Sequence, residues 1–568
     1  MGSSKEPDTD RHGCPRHHGI GVSPGLAAGP VKRVFPRVRE PRARFLPPER
    51  NVADEAERIR QCAADTAQNL ELRASLASGQ GAEVLATAAQ IAADPTLIDG
   101  ACELVHTRSL VPARAVWEAA GMLADQLKDM GGYMAERALD VYDVRDRIIA
   151  RLLGRPAPGL PTPDREHVLW ARDLAPSDTA QLDITKVKAI ILAEGGPTSH
   201  TAIVARELGI PAVVAAPTTA KLRDDDVVLV NGAAGTVTVS PTADQLAHAA
   251  RPIPERTFSG RGQLACGTHI PLLANISDAA GASAAAEAGA EGIGLLRTEL
   301  WFLGTTSEPS VEEQTRHFVD VFDKAPAGRI VVRALDAGSD KPMAYLPTGT
   351  EANPALGMRG YRMSRLYPDV LARQLEAIAA ARQETGADVW VMAPMISTLE
   401  ECEEFVTAAH AAGLEQAGLM IEVPAAALRA GQMLAAAQFA SIGTNDLSQY
   451  AMAADRLQGA LADLSDPWHP AVLDLISTAG KAGAQQARPV GVCGEAAADP
   501  ALAVVLVGLG ASTLSMTPRA IPDVAAVLAH VSLAQARELA GVALAATDAV
   551  QARTAVRDRM EFLTDLGL

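Results

Sequence analysis

VWVMAPM (389–395), GLMIEVP (418–424), FASIGT (439–444) and PVGVCG (489–494) are the runs whose reading decides the fold. Each is short and apolar and is followed by an Ala-rich stretch long enough for a helix. A strand covered on both faces reads as a continuous apolar run, whereas a half-exposed strand alternates. PLLANI (271–276), GIGLLRT (292–298), RIVVRAL (329–335) and STLSMTP (512–518) have the same form, which brings the count to eight. Eight strands alternating with helices predict a TIM-like (β/α)8 barrel. Counting does not prove closure, so an open doubly wound sheet stands as the alternative.

The remainder of the 568 residues is organised differently. Residues 1–18 are polar and rich in His, Arg and Asp, and are expected to be a disordered tail. GIGVSPGLAAGPVKRV (19–34) reads as a loop punctuated by Gly and Pro that feeds a strand. From about Ala53 to Gly154 the pattern is helical. Val141, Val144, Ile148 and Leu152 fall on one face of the last helix, while Arg137, Asp140, Asp143 and Arg147 fall mostly elsewhere. VLWARDL, AIILAEGG, PAVVAA and DVVLVNG then give strands around the helix TAIVARELG. A stretch rich in Pro, Arg and Gly near 247–262 reads as a linker.

Composition narrows the function. A net charge of −17 with few aromatics makes nucleic acid and anionic membranes poor partners and a basic protein a better one. The six cysteines have no CxxC spacing, so neither a disulfide framework nor a zinc site is expected, and a reducing cytoplasm is the default. No run is long enough to span a bilayer.

Barrel chemistry gathers where the strands end. The strand ends here offer Arg297, with Thr298 and Glu299 behind it, then Arg333, Asp336 and the Asp340–Lys341 pair. Further along come Glu422, Asn445 and Asp446, with Arg456 ten residues past Asp446, and Cys493. Two arginines suit a substrate carrying phosphate and carboxylate, because guanidinium grips either oxyanion in a fork. Glu422 and Asp446 suit Mg2+, which keeps some of its waters, and Mn2+ accepts the same oxygens. The Cys493 thiol is either a proton donor to carbon or a small buried hydrophobe. In AEGGPTSHTAIVAREL, His200 falls in the first turn of a helix, where free N–H groups favour an added phosphate. A helix-capping histidine without chemistry fits that local pattern as well.

Nine segments in order resemble Enzyme I of the phosphoenolpyruvate (PEP):sugar phosphotransferase system. They are GIGVSPGLAAG, GGPTSHTAIVARELGIPAVV, GIGLLRTELWF, VRALDAGSDK, NPALGMRGYR, MAPMI, GLMIEVPAAAL, FASIGTNDLSQYAMAADR and VGVCGEAA. The resemblance implies a multidomain α/β chain. Residues 19–48 and 150–246 would form a swivelling phosphohistidine domain, interrupted at 49–149 by a helical domain that docks the phosphocarrier HPr. After the linker, residues 263–568 would form a PEP-binding barrel that also dimerises. His200 matches the phosphorylated histidine, and Arg297, Arg333, Asn445 and Arg456 match the PEP-binding set. Glu422 and Asp446 match the Mg2+ ligands, Cys493 matches the acid that protonates the enolate carbon, and Arg359 is placed near the phosphate. Pro197, Ser339 and Ala215 stand where Arg, Gly and Gly are common. A PEP synthase or pyruvate,phosphate dikinase would need a nucleotide-binding domain that the sequence does not display. A non-catalytic scaffold would be expected to have lost some of these residues, and a barrel lyase would leave His200 unexplained.

Overall fold

The computed structural model describes residues 8–568 except 10–12, 36–37, 77–79, 131–137, 162–164, 175–177, 179–181, 197–199, 251–255, 303–304, 306, 339–342, 344, 348, 350, 457, 459–460 and 462. The expectations for Arg137, Pro197, Ser339, Asp340 and Lys341 therefore lie outside the described residues, as does the side chain of His200.

The first sheet gathers β1 (Asp8–Thr9), β2 (Pro15–His18), β3 (Ile20–Ser23), β4 (Leu26–Arg33), β5 (His167–Ala171), β6 (Val187–Leu192), β7 (Ala212–Val214), β8 (Val227–Asn231) and β9 (Thr236–Val239). Their order is β1-β2-β9-β8-β4-β5-β6-β7-β3. β4 runs antiparallel to β8 and parallel to β5, so segments far apart in sequence share one sheet. Helices Val52–Leu76, Gln80–Ala92, Pro95–Arg108, Pro112–Met130 and Ala138–Leu152 lie between β4 and β5 in the chain. They pack around their own core, which includes Ile59, Leu70, Leu97, Val116 and Ile148. Val141, Val144, Ile148 and Leu152 are all buried there, as the 3.6-residue period requires.

The tail expectation needs correction. Pro15–His18 is a strand that pairs antiparallel with β9, with Arg16 opposite Thr238, and β1 pairs with β2 in turn. A polar run adopts this conformation because the β9 edge offers unpaired backbone groups that need partners whatever the side chains. The linker expectation also shifts at its ends. Helix Ala243–Ala249 runs into it, and Gly262 already donates its N–H to Glu291 beside the barrel at 2.8 Å.

The second sheet closes. β10 (Leu272–Ile276), β11 (Ile293–Arg297), β12 (Ile330–Arg333), β13 (Val389–Ala393), β14 (Ala417–Ile421), β15 (Phe439–Ile442), β16 (Val490–Val492) and β17 (Thr513–Met516) are parallel, and β17 pairs back to β10. That closure removes the open-sheet alternative. Leu295, Val331, Met392, Met420, Phe439 and Cys493 fill the barrel interior, while a larger apolar layer joins strands to the surrounding helices. The lumen is therefore packed, and chemistry is left to the rim. Among the described residues, no helix is long and apolar enough to cross a membrane.

Candidate active site

The C-terminal rim of the barrel collects an alternating set of buried charges. Arg297 and Arg333 end β11 and β12 side by side in register. Arg333 is 6% exposed, pairs with Glu299, and lies 3.3 Å from Asp336. Its Nη1 also points at the Met420 sulfur, 3.8 Å away. Burial opposes its charge, but Glu299, Asp336 and Glu422 outweigh that penalty and hold its pKa above the usual arginine value. Among the described residues its buried Nε has no hydrogen-bond partner, and an incoming anion would satisfy that donor.

Glu422 follows β14 and is 1% exposed. Its Oε1 accepts the Met395 N–H at 2.6 Å, and Met395 holds a left-handed backbone (φ 59°) in presenting that donor. Burial first, then the neighbouring Asp446 and Asp336, push the Glu422 carboxyl up to about 8, against the pull of Arg333 and Arg359. Converging carboxylates raise one another's pKa unless a cation intervenes. Among the described residues no group of three or more His, Cys, Asp or Glu is placed to hold a metal ion; Glu422 and Asp446 offer a pair of carboxylates, the hard oxygen donors that Mg2+ takes. A two-carboxylate site that leaves positions for water and substrate oxygens is what Mg2+ uses.

Helix Thr444–Met452 starts directly after β15 and places Asn445 and Asp446 at the rim. Asp446 accepts from Arg359 Nη1 at 3.3 Å and faces Arg456 Nη1 at 3.7 Å. Arg359 is 1% exposed, and its Nη2 donates to both Asp336 oxygens at 3.4 Å. Asn445 Oδ1 accepts the Glu495 N–H at 3.2 Å.

Cys493 follows β16 and is buried, with its Sγ 3.6 Å from the Ile442 carbonyl. Burial raises its thiol pKa, partly offset by Ser441, Arg333 and Arg297. The thiol therefore keeps its proton at neutral pH, as a proton donor must. His200 heads helix His200–Leu208, the next helix after β6 in the chain, and Gly195 between the two takes φ 90°.

The structure thus brings Arg297, Arg333, Arg359, Glu422, Asn445, Asp446, Arg456 and Cys493 to one rim. Sequence reading passed over Met395, Met420 and Tyr450. Tyr450 accepts from Arg359 Nη1 at 3.3 Å and donates to the Ala355 carbonyl. Its only advance signal is its place one turn past Asp446 on the same helix.

Three family models match in chain order. They are a PEP-utilising enzyme N-terminal model over residues 18–137, a PEP-utilising enzyme mobile domain over 163–235 and a PEP-binding domain over 258–533. A phosphoenolpyruvate-protein phosphotransferase of Streptomyces coelicolor is 45% identical over 546 residues, 95% of this chain and 98% of that protein. The chain belongs to the Enzyme I family of phosphoenolpyruvate-protein phosphotransferases. A second Enzyme I relative, from Bacillus subtilis, is 34% identical over 538 residues, 89% of this chain and 92% of its own length. A multiphosphoryl transfer protein of Rhodobacter capsulatus is 40% identical over 450 residues, 76% of this chain and 54% of that protein. Within the Enzyme I pattern, the mobile-domain match contains His200 and the PEP-binding match contains all eight barrel strands.

Proposed function

We propose that this chain moves the phosphoryl group of PEP onto His200 and then onto a histidine of the phosphocarrier HPr, releasing pyruvate. The observation that carries the reading is the buried rim cluster, in which arginines and carboxylates alternate around Glu422 and Asp446. In this reading Arg297 and Arg333 grip the phosphate and carboxylate of PEP, with Asn445, Arg456 and Arg359 completing the grip. Glu422 and Asp446 hold Mg2+ or Mn2+, which neutralises charge on the phosphoryl oxygens when bound. The neutral His200 imidazole attacks phosphorus as the P–O bond to enolpyruvate breaks. Cys493 then gives its proton to the methylene carbon and regains one from solvent. Positioning and charge supply most of the rate in such transfers.

The domain plan follows the same reading: residues 19–48 and 150–246 carry the phosphohistidine, 49–149 dock HPr, 247–262 link, and 263–568 bind PEP and form a cytoplasmic homodimer. PEP and HPr bind different domains, so the His200 domain swings between them. A dikinase-like alternative is disfavoured because the match to the phosphotransferase of Streptomyces coelicolor covers 98% of that protein. The test is phosphorylation of the chain by PEP alone and its discharge by HPr. Labelling that required ATP would select the dikinase-like reading instead.

A further inference from the structure

Helix His200–Leu208 meets the barrel near its C-terminal end. Six residues past His200, Arg206 Nη1 lies 2.8 Å from Glu495 Oε2, and the two side chains are 10% and 23% exposed. Arg206 also donates to the Val22 carbonyl at 3.3 Å, which ties strand β3 to the helix. Three residues further on, just past the helix, Gly209 takes φ 63°, and a Cβ there would sit 1.9 Å from Nη2 of Arg519, which follows β17. The Arg519 guanidinium therefore lies flat against the helix C-terminus, where a cation is favoured by the dipole. A gap of about 570 Å³ lies beside these contacts, lined by Arg206, Asn445, Arg456, Glu495 and Arg519 among others.

Glu495 is joined to the site on its other side. It lies two residues past Cys493, and its N–H donates to Asn445 Oδ1 at 3.2 Å. Neighbouring Gly494 packs so closely that a Cβ would come within 1.9 Å of Thr444 Oγ1. One short segment thus receives the arginine of the histidine helix, orients Asn445 and carries Cys493. We infer that Arg206 and Glu495 form a docking latch, closed for transfer from PEP to His200 and open for transfer from His200 to HPr, with Glu495 acting as a positioning residue for Asn445. The inference rests on the phosphotransfer reading given above. A partly desolvated ion pair suits a latch, because it fixes orientation when made and both partners can rehydrate on opening.

The test follows Arg206→Glu, Glu495→Gln and the swap Arg206→Glu/Glu495→Arg in the full chain, with two readouts. The first is the pre-steady-state rate of phosphorylation by PEP and Mg2+, beside the rate at which HPr discharges the phosphorylated form. The second is the distance between spin labels on the His200 domain and the barrel. The single variants should slow phosphorylation roughly tenfold or more, about 1.4 kcal/mol per factor of ten. They should leave HPr discharge unchanged and shift the distances toward an open population, and the swap should recover both. Unchanged phosphorylation rates and distances in the single variants would overturn the latch, as would equal slowing of both half-reactions. Distances that shift in the variants while wild type itself takes no phosphoryl group from PEP would instead overturn the phosphotransfer reading, and with it the latch's role in catalysis.

Discussion

Arg359 bridges Asp336 and Asp446: its Nη2 donates to both Asp336 oxygens at 3.4 Å while its Nη1 donates to Asp446 Oδ1 at 3.3 Å, with the residue 1% exposed. One guanidinium therefore fixes the spacing between the β12 loop and the helix after β15. Arg359→Met leaves two buried carboxylates facing each other, and breaking a buried pair costs about 3–5 kcal/mol. We expect a lower melting temperature together with loss of PEP-dependent phosphorylation, the second persisting well below the melting transition. Unchanged phosphorylation kinetics in the variant would remove Arg359 from the site.

The Glu422 carboxyl supplies a pH and metal signature. Its folded pKa is pushed above the ordinary 4.5 to about 8, so its contribution to stability is complete below 4.5 and is lost as pH rises through about 8. Mg2+ should reverse that loss, because it binds the deprotonated form. Melting curves between pH 5 and pH 9 should show metal-free protein weakening with pH and Mg2+ restoring it, with the restoration absent in Glu422→Gln. A Mg2+ effect of equal size in Glu422→Gln would place the cation elsewhere.

Cys493 predicts a flat alkaline limb. Burial raises its thiol above the ordinary 9.0, so the proton-donating form persists across neutral and mildly alkaline pH. Pyruvate release should therefore hold level until the pH exceeds that ordinary value, in a stopped-flow assay with saturating PEP. Cys493→Ala should still take up the phosphoryl group but release enolpyruvate, detectable as a lag before pyruvate appears. A thiol-dependent fall in rate near pH 7 would contradict the protonated assignment.

Ala215 occupies the left-handed region at φ 50°. An L side chain there costs roughly 1–2 kcal/mol per residue, which glycine avoids apart from its larger unfolded-state entropy. Ala215→Gly should accordingly raise the stability of the first sheet's domain by about 0.5–1 kcal/mol, read by calorimetry. A destabilising effect would mean the strain is already relieved by packing.

Much of this was legible in the sequence. The eight barrel strands stood out because both faces of each are covered, so their residues are mostly apolar rather than alternating with polar ones. The strand ends were legible for the same reason: a charged residue directly after such a run, as Arg333 or Glu422 is, has nowhere to go but the rim. What stayed hidden depended on partners distant in sequence. Pro15–His18 has no strand-like composition of its own and takes its form from the β9 edge. Arg359 reaches Asp336 and Asp446 from a loop, and the Met395 N–H finds Glu422 only through a left-handed turn. Arg206 reads as an ordinary polar position on a short helix until Glu495 is seen beside it.

The central claim is that His200 receives the phosphoryl group of PEP, and intact mass after incubation with PEP and Mg2+ tests it most directly. Wild type should gain one acid-labile phosphoryl group, matched by one pyruvate and needing no ATP, while His200→Ala gains none. Equal labelling of His200→Ala, or a wild-type chain that takes no phosphoryl group from PEP, would contradict the account.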